Sequence, residues 1–74
     1  MDTQNLVNMA NRIGQFFESY PDRSEALDGI CQHIRKFWNP RMRQLLVEQL
    51  DNRSDEELRP IVAEAIRSSK TPLV

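Results

Sequence analysis

From Thr3 to Tyr20 the apolar side chains Leu6, Met9, Ala10, Ile13, Phe16, Phe17 and Tyr20 return every three or four positions. That is the spacing of one helical face, and it predicts a first helix over 3–20. Asp2 or Thr3 can cap its start, and Pro21 ends it, because proline disfavours the α conformation in the residue before it. Asp22 with Glu25 three residues on resembles a capping box with an aspartate in the place of serine. The stripe Leu27, Ile30, Cys31, Ile34, Phe37 and Trp38 then predicts a second helix over 23–38.

Asn39 followed by Pro40 reads as a cap and a first-turn proline, so a third helix over 40–51 starts almost at once and turns Met42, Leu45, Leu46 and Leu50 inward. Ser54 and Glu57 form a further capping box, with Asp55, Glu56 and Glu57 where the helix dipole favours negative charge. Pro60 admits two conformations for the last segment: a short turn over 55–58 and a helix from Pro60, or one kinked helix. Either way the stripe Leu58, Ile61, Val62, Ala65 and Ile66 carries helix to about 69, and a frayed tail ends the chain. No stretch alternates with period two. The expected fold is all-α, one small domain over 1–74 built as a three- or four-helix bundle or an open helical array.

Composition removes whole classes of function. With 39% hydrophobic and 28% charged residues among 74, the chain can form a core, though a thin one that gains from a larger partner. Its formal net charge of −1 weighs against nucleic acid as the main ligand. A lone cysteine excludes an internal disulfide and fits a reducing cytoplasm. No apolar run suits a membrane span, and the N-terminus lacks the pattern of a secretory signal, so no membrane association is expected.

Reactive chemistry is scarce as well. There is no glycine-rich phosphate loop and no cysteine or histidine spacing for a metal. His33 and Cys31 lie two residues apart on one helix, pointing about 200° from each other, so they cannot work as nucleophile and base. No catalytic, cofactor-binding or metal-ligating residue is expected.

The unusual stretch is His33 to Arg43, HIRKFWNPRMR, which has no acid between Asp28 and Glu48 and interleaves four cations with Phe37, Trp38 and Met42. It reads either as a solvated charged face beside the core or as a protein-binding corner, since arginine, tryptophan and methionine are enriched at interfaces. His33, Arg35, Phe37, Trp38, Pro40, Arg41 and Arg43 are the candidate partner contacts. Gly14 and Gly29 inside helices ask what comes so close to them: each other's helices, or a docked partner.

The segments NLVNMANRIGQFFESYPD, EALDGICQHIRKFWNPRMR and LRPIVAEAIR together resemble the delta subunit of the soluble NAD-dependent, molybdenum- or tungsten-containing formate dehydrogenases, over roughly Leu6 to Arg67. The most specific parts are the run from Asn11 to Phe17 with Tyr20-Pro21-Asp22, and HIRKFWNPRMR. The resemblance implies a complex whose alpha subunit holds the bis-pterin metal site and iron–sulfur clusters, and whose beta and gamma subunits pass electrons through FMN to NAD. It implies a delta subunit without cofactor, accessory to assembly or stability, in contact with the alpha subunit. Two other roles stay open: a transient maturation factor for metal-cofactor loading, and a small nucleic-acid-binding helical module.

Overall fold

Prolines and short polar side chains set the helix boundaries. The computed structural model describes residues 3–52 and 57–69, which form α1 (Thr3–Phe17), α2 (Arg23–Phe37), α3 (Pro40–Asn52) and α4 (Pro60–Ser68). The fold is all-α, with no strand among the described residues. The expected caps at Asp2 and Thr3, the capping box at Ser54 with Asp55 and Glu56, and the tail beyond Ser69 lie outside the described residues or their side chains.

Helix α1 stops three residues short of Tyr20. Glu18 N–H still donates to the Gly14 carbonyl (2.9 Å), but Tyr20 N–H turns back to the Phe17 carbonyl (3.0 Å), and Ser19 Oγ donates to the Phe16 carbonyl (2.9 Å). The hydroxyl competes for the end of the helix while Pro21 bars Tyr20 from the α conformation. Asp22 then caps α2, its side chain accepting from Ser24 N–H at 2.9 Å. At the far end Trp38 is extended (φ −97°, ψ 139°), and its N–H closes the last turn on Ile34. Asn39 caps α3 by accepting from Met42 N–H at 2.9 Å, with Pro40 in the first turn.

The last helix begins at Pro60, and the expected turn over 55–58 lies partly outside the described residues. Proline costs nothing at a first helical position because its missing N–H has no helical acceptor to lose. The entry into α4 is held by a side chain from α1: Asn11 donates Nδ2–H to the Glu57 carbonyl (2.8 Å) and accepts Arg59 N–H at Oδ1 (2.8 Å).

The core draws on every helix: Leu6, Val7 and Ala10; Ala26, Ile30, Cys31 and Ile34; Leu46 and Leu50; Ile61, Val62, Ala63 and Ala65, closed by Trp38 and Leu58. Helix α1 packs on the other three, and α4 also packs on α2. The two glycines answer different questions. A Cβ on Gly29 would strike the ring of Phe17, so this glycine lets α1 and α2 approach. A Cβ on Gly14 would stand 2.5 Å from Val62 Cγ2 and 3.2 Å from Ile61 Cγ2, so it accommodates α4, which corrects the expectation that both serve the first two helices.

Candidate interaction site

The corner where α2 gives way to α3 divides the seven candidates. Trp38 is 5% exposed and belongs to the core. Its neighbour Phe37 is 65% exposed. The extended backbone at Trp38 separates them, turning the indole under the bundle while the last helical residue keeps its ring outside. One helical turn before Phe37, the half-buried His33 places its ring 4.7 Å from the Phe37 centroid, and Lys36 Nζ lies 5.6 Å from the same centroid. Pro40 and Arg41 are exposed at the start of α3. Arg35 is half-buried and donates Nη2–H to Ser69 Oγ (2.9 Å), which ties it to the end of α4. Arg43 is half-buried, with its Nε enclosed and without a hydrogen-bond partner among the described residues.

Among the described residues the ion pairs are Arg23 with Glu64 and Arg59 with Glu18, and neither Lys36, Arg41 nor Arg43 joins one. Helix α1 has no acidic residue from Thr3 to Phe17 to offer them.

A second exposed group escapes the sequence-based expectation, which assigns Phe16 and Tyr20 to a buried stripe. Phe16 is 63% and Tyr20 39% exposed. The ring of Phe16 meets Phe17 edge-on at 5.0 Å, and Tyr20 stands 6.1 Å from Phe16 and 5.0 Å from Phe17. Phe17 reaches α2 over Gly29, whereas Tyr20 lies beyond the end of α1 and Phe16 is exposed. Gly29 is the available signal, a gap sized for one ring.

Cys31 is buried between α2 and α4, where Sγ–H donates to the Ala65 carbonyl at 3.1 Å. Burial pushes its thiol above the ordinary range; Ser69 and Arg35 pull the other way without offsetting it. The thiol is therefore protonated at neutral pH and serves as a small core residue. No group of three or more His, Cys, Asp or Glu among the described residues is placed to hold a metal ion, and no described helix is long and apolar enough to cross a membrane.

No curated protein and no solved structure matches the chain. A family model does, described as the NADH-dependant formate dehydrogenase delta subunit FdsD, and it covers residues 5–66. That span takes in most of α1, all of α2 and α3 and most of α4, including the corner at Phe37 and the ring cluster at Phe16. The chain belongs to the delta-subunit family of the NADH-dependent formate dehydrogenases.

Proposed function

We propose that this delta subunit is a non-catalytic accessory component that docks directly on the catalytic alpha subunit of a cytoplasmic formate dehydrogenase and supports its assembly or stability. The observation that carries the proposal is Phe37, a large apolar ring left 65% exposed beside Lys36, which like Arg41 meets no carboxylate among the described residues. Exposing such a ring has a solvation cost that a folded chain recovers when a partner covers it. His33 backs the ring, and Pro40 and Arg41 flank it in sequence as contacts; Arg35 ties the corner to Ser69, and Arg43 stands half-buried as a further contact. In such a complex the bis-pterin metal, iron–sulfur clusters and FMN reside in the alpha, beta and gamma subunits.

Co-expression of tagged alpha subunit with this chain tests the reading. Wild-type chain is expected to copurify in a fixed ratio with active enzyme, and Phe37→Ser to lower that ratio while the isolated variant keeps its helicity. Equal recovery of Phe37→Ser would remove this corner as the interface. A chain that binds the immature alpha subunit but is missing from the active enzyme would be a maturation factor.

A further inference from the structure

We infer that the surface received by this corner is a protein patch of carboxylates surrounding an apolar pocket, so that docking is steered by charge and then anchored by one ring. The inference rests on the docking proposed above and adds the chemistry of the counter-surface.

The charge of the chain is sorted along α2. Its beginning holds Asp22, Glu25 and Asp28, and the one cation there, Arg23, is matched by Glu64. Its end holds Arg35 and Lys36, and Arg41 and Arg43 come within the first turn of α3. Along α2 the nearest acid, Asp28, lies about 10 Å from Arg35 and about 12 Å from Lys36, beyond the Debye length of about 8 Å at physiological salt, so the acidic end only partly cancels the field at the basic end. A net charge of −1 thus conceals a cationic face that an acidic surface would meet in one orientation.

The apolar half of the counter-surface is set by Phe37. Its ring is held against His33 and stands beside Lys36 Nζ, which leaves most of it to enter a pocket as a preset anchor. Arginine at position 41 can engage a carboxylate in two parallel hydrogen bonds. A polynucleotide suits the face less well. Stacking platforms of single-strand binders combine several aromatic rings with a groove of cations, whereas beside these cations the exposed ring is Phe37, and the exposed rings Phe16 and Tyr20 belong to the cluster on α1.

The test measures association of the full-length chain with formate dehydrogenase prepared without its delta subunit, from about 50 to 300 mM NaCl. Wild-type association is expected to slow steeply as salt rises. The double variant Lys36→Gln/Arg41→Gln should associate about tenfold more slowly at low salt and lose most of the salt dependence. Arg23→Gln, the same kind of charge change at the far end of α2, should stay within about twofold of wild type. Phe37→Ser should speed dissociation and leave the salt slope unchanged.

Tight binding that ignores salt, or a double variant that associates like wild type, overturns the inference and leaves the docking proposal standing. An Arg23→Gln loss equal to that of the double variant also overturns it, since bulk charge would then be the cause. Saturable binding of single-stranded RNA, abolished by the double variant, reassigns the face to phosphate. Failure of the wild-type chain to bind the depleted enzyme at any salt defeats the docking proposal itself.

Discussion

At the beginning of α2, and at the turn that leads into α4, Arg23 and Arg59 each meet a carboxylate, on Glu64 and Glu18; at the end of α2 neither Lys36 nor Arg41 meets one among the described residues. Both ends expose aromatic rings, but Phe16, Phe17 and Tyr20 lie against one another, while Phe37 has the half-buried His33 and the Lys36 ammonium beside it. The difference separates what the fold uses for itself from what it leaves over. Phe17, Glu18 and Arg59 near Phe16 are occupied in joining α1, α2 and α4, whereas Phe37, Lys36 and Arg41 stay on the surface.

The widest gap is expected between two adjacent residues. Trp38→Ala should cost about 3–5 kcal/mol, the usual range for removing a core tryptophan, whereas Phe37→Ser should stay within about 0.5 kcal/mol. Urea titration of both variants measures this. A Phe37→Ser cost like that of Trp38→Ala would mean the exposed ring is structural after all, and the contrast between the two ends would collapse.

At the other end, Gly29→Ala forces the Phe17 ring to move. The crowding should outweigh the better helix propensity of alanine and leave the protein about 1 kcal/mol less stable. The chain has one tyrosine and one tryptophan, Tyr20 in the ring cluster and Trp38 beneath the basic corner. Gly29→Ala should therefore alter tyrosine emission and leave tryptophan emission alone; a change in both would show that the two ends are mechanically coupled.

Smaller still, Glu18→Gln should cost about 0.2–1 kcal/mol at low salt and less at high salt, because both partners of its pair with Arg59 are partly solvated. Thermal melts at two ionic strengths check it. Cys31 has no consequence at neutral pH. Above about pH 8.5 the unfolded thiol ionises while the buried one stays protonated, so the unfolded state binds fewer protons and stability falls as pH rises towards the higher native value. Cys31→Ala should remove that alkaline slope; an identical slope in the variant would assign it to other groups.

Much of the fold is legible in the sequence because it depends on near neighbours along the chain. Asp22, Asn39 and Pro60 mark helix starts by their own backbone chemistry, and the stripe through Ile30 and Ile34 comes from helical spacing alone. Periodicity names a face without saying how far its burial extends, which is why it places Phe16, Tyr20 and Phe37 inward with the rest of their stripes. Trp38 and Phe37 are equivalent by spacing and composition, and only the extended turn at the end of α2 distinguishes them. Gly14 signals a close approach correctly, but its partner, Val62, lies 48 residues away and local pattern cannot supply it.

Asn11 bonds to the main chain on both sides of Leu58, so this part of the final helix's docking is keyed to peptide groups, in addition to the side-chain pair of Arg59 with Glu18. The dependence falls instead on the amide itself, which must donate at one atom and accept at the other. An aspartate in its place would keep the acceptor and confront the Glu57 carbonyl with negative charge, so a change of a single atom type on α1 would loosen a helix that begins 49 residues later.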